Sequence, residues 1–114
     1  MNEIKQGEIY SVNFDPSVGH EYLGRRPAIV IQSDSASKTS KLITIMAITS
    51  SLNNKLNDDI FIKANKTNFL YKDSIIKVFD ICSFDCSRFI KKIGKADAQT
   101  IAQIKKYLVK HFGL

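Results

Sequence analysis

The chain alternates apolar and polar residues at its start and then carries two almost wholly apolar runs. In residues 8–14, tyrosine, valine and phenylalanine alternate with serine and asparagine, which predicts a strand with one buried face. Residues 28–32 and 42–50 lack such alternation and are predicted as strands buried on both faces. Shorter strands are predicted at 60–62, at 75–83 with an irregularity near Asp80, and at 89–93, ended by Gly94.

Residues 97–112 have the spacing of an amphipathic helix. Asp97 is a suitable N-cap, and Gly113 stands where a helix commonly stops. One predicted face carries Ala98, Ile101, Ile104, Leu108 and Phe112. Five or six short strands followed by one helix predict a mainly β fold, a small antiparallel barrel with a C-terminal helix (97–112). Closure of the barrel would remove exposed strand edges.

Composition narrows the class of protein. The 114 residues have an ordinary apolar and charged content and no repeats or linkers, so a single domain over 1–114 is predicted. Without a signal-like or membrane-spanning segment, a cytoplasmic location is expected. The net charge of +6 favours nucleic acid or an acidic protein as partner, although lysines solvating a helix face would give the same charge.

The two cysteines, Cys82 and Cys86, are spaced C-x3-C, which fits neither a zinc knuckle nor a C-x-x-C redox pair. No metal site and no cofactor are therefore predicted. In a cytosolic protein, both thiols are expected to be reduced and to pack as small apolar groups.

The segment 18–27 concentrates the candidate chemistry. It carries His20, Glu21, Arg25 and Arg26 directly before the apolar second strand. Pro27 favours an extended conformation of Arg26, at the root of that strand. Charged loops beside rigid strands often hold functional sites, but a solvated surface loop is the simpler interpretation of this segment alone.

An ordered series of short motifs resembles the MazF/PemK family of bacterial toxin endoribonucleases. The motifs are KQGEIY at 5–10, FDP at 14–16, GHE at 19–21, G-x-RP at 24–27, AITS at 47–50, DSII at 73–76 and D-x-x-R at 85–88. The resemblance implies an SH3-like barrel, a homodimer and metal-independent, sequence-selective cleavage of single-stranded RNA. It also implies an acidic antitoxin partner, with DNA bound only through the antitoxin complex at its own operator.

The fifth strand departs from the family pattern. The family usually has an acidic residue and Gln, then a basic residue and Ser or Thr, where this chain has Phe79, Asp80, Cys82 and Ser83. A shift of one position in a strand turns a side chain to the other face. The departure therefore bears on RNA contacts and sequence preference.

Metal-free RNA cleavage requires a proton acceptor for the 2′-hydroxyl, charge stabilisation at the phosphate and a proton donor for the leaving oxygen. Arg26 suits the phosphate because its guanidinium is always charged, and Thr49 can donate a hydrogen bond to it. Glu21 is the preferred proton acceptor, and His20 could act as base or acid. The RNA-binding candidates are Gly24, Arg25, Ser50, Ser74, Lys77, Asp80 and Arg88, with Lys77 also a possible second cation and Asp80 a further base.

Structural roles remain open for several of these residues. Glu21 could pair with Arg25 or Arg26, and Ser74 could cap a turn. The joint pattern, in which Arg26 and Thr49 must come within reach of each other, favours the enzyme. Two alternatives are a CcdB-like gyrase poison, whose relatives depend on the end of the C-terminal helix, and an inactive RNA-binding or autoregulatory module.

Overall fold

Six antiparallel strands form one curled sheet beside a C-terminal helix. The structure is a computed structural model that describes residues 3–15 and 24–114. The strands and helices are β1 (Glu8–Asn13), β2 (Arg25–Val30), α1 (Asp34–Thr39), β3 (Leu42–Thr49), β4 (Ile60–Ile62), β5 (Ser74–Asp85), β6 (Phe89–Lys95) and α2 (Ala98–Phe112). Short 3-10 turns occupy Leu52–Asn54 and Cys86–Arg88. The mainly β class, the strand order along the chain and the terminal helix confirm the predicted fold.

The sheet buries apolar side chains on both faces. Ile29 and Met46 belong to the cluster that packs against α2, whereas Ala28, Val30 and Ile45 belong to the cluster on the opposite face. Neighbouring residues of β2 and β3 thus point into different cores, as expected for strands without polar alternation. The prediction that these two strands are buried on both faces is confirmed.

The sheet is a half-barrel whose edge strands are joined through a loop. Its strand order is β4-β5-β3-β2-β1-β6, so β4 and β6 form the two edges. The Lys95 amide donates to the Thr67 carbonyl at 3.1 Å, and this contact fastens the turn after β4 onto β6. Gly94 does not end β6 as predicted, because the strand continues to Lys95. A Cβ at Gly94 would lie 2.4 Å from the Asn68 carbonyl oxygen, so the glycine permits this close approach.

Strand β5 contains the irregularity predicted near Asp80. Ile81 pairs with Met46 and Lys77 with Ala47, so residues 78–80 have no partner position in β3. Extra residues of this kind form a bulge that changes the side-chain alternation of the strand. Side-chain directions in β5 therefore cannot be extrapolated across Asp80 by simple alternation.

Helix α2 has the predicted caps, and the middle of its predicted face packs on the core. The Asp97 carboxylate accepts from the Thr100 amide at 2.8 Å, and Gly113 ends the helix in the left-handed conformation. Ile104 is buried and Ile101 and Leu108 pack against the core, as predicted. Tyr107 is also buried, whereas Ala98 and Phe112 from the predicted face are exposed. The reason is that the helix contacts the sheet through its middle, so residues at its ends lie beyond the core. Within the described part of the chain, neither helix is long and apolar enough to cross a bilayer.

Candidate active site

An open cleft lies at one end of the sheet, where β2 begins, β3 ends and β5 begins. Its volume is about 240 Å³. The described residues that line it come from these three strand ends and from the segment before β5. They are Arg26, Pro27, Ile48, Thr49, Ser50, Leu70, Tyr71, Lys72 and Ser74.

The strand register brings Arg26 and Thr49 together. Ala28 pairs with Ala47 in the antiparallel β2–β3 ladder, and continuing this register by two residues places Arg26 opposite Thr49. Residues directly opposite in such a ladder share a face of the sheet. The proximity expected for an active pair is therefore present, with the exposed arginine and the buried threonine lining one cleft.

Hydrogen bonds at the cleft define which protons remain available. The Thr49 hydroxyl oxygen accepts from the Ser51 amide at 3.1 Å, which leaves its own proton for an acceptor in the cleft. The buried Ser74 hydroxyl donates instead to the Lys72 carbonyl at 2.8 Å. Ser74 can therefore offer a ligand only an acceptor, and its donor proton stabilises the turn that carries Lys72. Ser50 lies exposed at the rim.

The end of β1 and the start of β2 are joined by hydrogen bonds of the residues that follow and precede them. The Gly24 amide donates to the Asp15 carboxylate at 2.7 Å, and the Phe14 amide donates to the Gly24 carbonyl at 2.9 Å. Arg88 donates through Nη1 to the carbonyls of Asn13, at 3.1 Å, and Asp15. Arg88 and Gly24 therefore position the start of β2. Neither residue lines the cleft, as the predicted RNA-binding role would require. The predicted residues His20 and Glu21 lie outside the described residues.

Lys77 does not supply a second cation to the cleft. Its Nζ lies 2.5 Å from Asp59 Oδ2 and donates to the Asn54 carbonyl at 2.9 Å, and both partners of the ion pair are buried. Moving this buried ammonium to a phosphate in the cleft would break its ion pair with Asp59. The expectation that Lys77 binds RNA is corrected accordingly.

Two further predicted RNA contacts do not line the cleft. Arg25 precedes Arg26 at the start of β2, and successive strand residues point to opposite sides. Asp80 lies exposed within the β5 bulge. The bulge interrupts the pairing with β3, and Asp80 lies away from the strand ends that form the cleft.

Sequence reasoning missed the segment that forms the third wall of the cleft. Leu70 of this segment is buried, whereas Tyr71 is 94% exposed. Tyr71 and Lys72 both line the cleft. An aromatic residue beside a lysine, next to the start of a strand, is a combination typical of single-stranded nucleic-acid binding and was the available signal.

The cysteines and other metal-binding side chains form no site of their own in the described part of the chain. Cys82 and Cys86 are partly buried against the apolar cluster on the sheet face opposite α2, and they are not joined by a disulfide. Across residues 3–15 and 24–114, no group of three or more His, Cys, Asp and Glu side chains is placed to hold a metal ion.

Comparison with known proteins identifies the family. Residues 5–112 match the family described as PemK-like, MazF-like toxin of type II toxin-antitoxin system. Endoribonuclease MazF9 of Mycobacterium tuberculosis is 29% identical over 116 residues, covering 97% of this chain and 98% of that protein. Endoribonuclease EndoA of Bacillus subtilis is 31% identical over 106 residues, covering 92% and 90%. The chain belongs to the PemK/MazF toxin family.

Solved structures agree on the fold. MazF from Deinococcus radiodurans superposes with a TM-score of 0.82 at 24% identity, covering 97% of each chain. MazF in a MazE–MazF structure from the same organism gives 0.76 at 20% identity, covering 97% of this chain and 96% of that one. At these sequence identities, the solved structures support only the fold, a half-barrel with a C-terminal helix.

Proposed function

We propose that this chain is an endoribonuclease toxin that cuts single-stranded RNA in the cleft between β2, β3 and β5. The observation that carries the proposal is the Arg26–Thr49 pair, placed opposite each other by the strand register and opening into one cleft. The relatives named endoribonuclease cover nearly the whole chain, which supports the same class of reaction here.

The proposed reaction uses the RNA's own nucleophile. The 2′-oxygen attacks the adjacent phosphorus and loses its proton to a base, the bond from phosphorus to the 5′-oxygen breaks, and that oxygen receives a proton. The products are a 2′,3′-cyclic phosphate and a 5′-hydroxyl, without need of a metal. Arg26 stabilises the charge on the phosphate oxygens, and Thr49 donates its hydroxyl proton to one of them. Glu21 as base and His20 as base or acid are part of the proposal.

The unusual fifth strand is compatible with activity at this cleft. The Phe79 ring packs edge-on against His111 and Tyr107 of α2, with ring centroids 5.4 and 6.2 Å apart. This contact directs Phe79 toward the helix and away from the strand ends that carry Arg26 and Thr49. The departures at Phe79 and Cys82 are therefore expected to alter sequence preference more than the rate of bond cleavage.

The proposed partners follow from the family and from charge. A +6 chain attracts an acidic peptide, and structures of relatives include a MazE–MazF assembly and an endoribonuclease with its cognate antitoxin. We assign to this chain an acidic antitoxin, a homodimeric state and contact with DNA only through the antitoxin complex. We also assign it to the cytoplasm, where its RNA substrates lie.

The test compares the purified chain with two cleft variants on single-stranded RNAs of varied sequence in EDTA. Wild type is expected to cut, Arg26→Ala to lose at least about a hundredfold in rate, and Thr49→Val to lose about ten- to a hundredfold, because each removes one stabilising contact. Arg25→Ala removes the same charge from the neighbouring position and is expected to retain activity.

Two outcomes would contradict the proposal in different ways. Intact RNA across all sequences would refute the enzyme and leave a binding module, or a gyrase poison that a supercoiling assay would detect. Cleavage that EDTA abolishes would refute the metal-independent reaction.

A further inference from the structure

The segment between β4 and β5 exposes two aromatic rings on either side of a buried leucine. Phe69 is 63% exposed and Tyr71 is 94% exposed, whereas Leu70 between them packs into the α2-side cluster. Only Tyr71 of the two rings lines the cleft with Arg26 and Thr49. An almost wholly exposed tyrosine at this place has no role in the core.

The segment is held in shape by a hydrogen-bond network centred on Asn68. The buried Asn68 carboxamide accepts from the amides of Asn65 and Leu70, each at 3.0 Å, and donates to the Lys63 carbonyl at 2.9 Å. At the other end, Asp73 accepts from the Ala64 amide at 2.9 Å. Tyr71 is therefore presented by a cross-linked loop and not by a freely moving one.

The backbone between these anchors is strained. Phe69 has a φ of +54°, a conformation that non-glycine residues rarely adopt. Its amide donates to the Asn65 carbonyl at 3.0 Å, which helps to hold it there. Strain of this kind persists only where the surroundings fix it, and it is common at ligand-binding sites.

From these observations we propose that Tyr71 is a stacking platform for a nucleobase of the RNA, next to the phosphate bound at Arg26 and Thr49. This inference rests on the proposed endoribonuclease function and adds a base-binding subsite to it. An exposed ring offers its face to any base, so the contact adds affinity with little sequence discrimination. Lys72, the neighbouring residue of the cleft wall, contacts an adjacent phosphate.

Single-stranded RNA fits this arrangement because its bases are free to leave the stack. A cation at the phosphate, here Arg26, and an aromatic ring beside it are the two elements that such binding requires. The other exposed phenylalanines of the described chain outside this segment do not line the cleft: Phe61 on β4, Phe79 on β5 and Phe112 at the end of α2.

The chain has no tryptophan, which allows a direct probe of stacking. Tyr71→Trp places a single indole at the platform, and titration with an uncleavable single-stranded RNA, fully 2′-O-methylated, is expected to quench its fluorescence. Phe69→Trp places the same probe two residues away on the same loop and is expected to show little quenching. Equal quenching of both probes, or none of the Tyr71→Trp probe, would overturn the inference.

Steady-state cleavage provides a second readout. Tyr71→Ala is expected to raise KM by roughly tenfold, with kcat changed by less than about twofold, because one stacked base is lost and the reacting groups stay. Tyr71→Phe retains the ring and is expected to match wild type, and Phe69→Ala serves as the control for the loop. An unchanged KM in Tyr71→Ala would contradict the platform.

Failure of the inference and failure of the proposed function can be distinguished. If wild type cuts RNA and Arg26→Ala does not, but the Tyr71→Trp probe stays unquenched and Tyr71→Ala keeps its KM, only the platform is refuted. If wild type cuts no RNA while the probe is quenched, the reaction is refuted and a binding site for single strands remains.

Discussion

At the scale of single residues, Lys77 shows how a partner decides what a charge can do. Its ammonium is buried against Asp59, eighteen positions earlier in the chain, and the Asp59 carboxylate also accepts from the Val78 amide at 3.2 Å. The pair joins the loop before β4 to β5 just where the bulge begins. Lys77 is therefore assigned to the stability of the chain and not to RNA binding.

Lys77→Met tests this assignment. It leaves the buried Asp59 carboxylate without its cation and is expected to lower the free energy of unfolding by about 3–5 kcal/mol. The double variant Lys77→Met, Asp59→Leu replaces the pair by apolar groups and is expected to recover much of that loss. Urea denaturation measures both. A stable Lys77→Met variant with weakened RNA binding would restore the original expectation.

At the scale of elements, the edges of the sheet are stabilised by contacts that cross long stretches of sequence. The turn after β4 is fastened to β6 through Thr67 and Lys95, and Gly94 allows the two backbones to meet. On the other side of β6, Lys92 forms an ion pair with Glu8 of β1 at 2.7 Å. The first contact joins the turn after β4 to β6 and the second joins β1 to β6, so a single substitution can test each one separately.

Gly94→Ala is expected to destabilise the chain. The added Cβ would meet backbone atoms of Thr67 and Asn68, so the turn must move away from β6. Overpacking of this kind costs about 1–3 kcal/mol, measurable as a lower urea midpoint. A shift no larger than that of a matched exposed substitution, Lys91→Ala on the same strand, would show that the turn is not packed on β6.

Glu8 gives the β1–β6 contact a pH dependence. Burial acts to raise the pKa of this carboxyl, but its bonds with Lys92, the Lys5 amide and the Tyr10 hydroxyl outweigh burial and hold the pKa below its usual 4.5. Burial, with the charge and hydrogen bond of Glu8, raises the pKa of Tyr10 to about 12. Because the carboxyl's pKa is depressed on folding, its stabilisation is complete above the unfolded value and disappears as pH falls through the folded value.

Wild type should therefore lose stability on acidification below about pH 4.5 more steeply than Glu8→Gln, while the two curves run parallel near neutral pH. Chemical denaturation at several pH values measures the difference. Parallel curves throughout the acid range would show that Glu8 has the same pKa in both states.

At the scale of the whole molecule, the sequence predicted the elements whose position depends on local patterns of residues. The apolar runs predicted β2 and β3, and the caps at Asp97 and Gly113 predicted the bounds of α2 closely. The predicted face of α2 is confirmed in the middle of the helix and fails at its two ends, because burial there depends on where the helix meets the sheet. The roles of Lys77 and Tyr71 escaped prediction for a related reason, since each depends on a loop folded by distant hydrogen bonds.

The part of the candidate site that depends on the pairing of β2 with β3 could be predicted from the sequence. Arg26 and Thr49 lie at the ends of two strands whose pairing follows from their apolar patterns, so their meeting was expected and the cleft contains both. The third wall was not expected, because the exposure of Tyr71 depends on the Asn68 network.

The most direct test of the proposed reaction is the chemistry of the RNA ends after cleavage in EDTA. The account predicts fragments with 5′-hydroxyl and 2′,3′-cyclic phosphate ends, produced by wild type and Arg25→Ala and absent with Arg26→Ala. Fragments with 5′-phosphate ends, or the same fragments at an undiminished rate from Arg26→Ala, would contradict it.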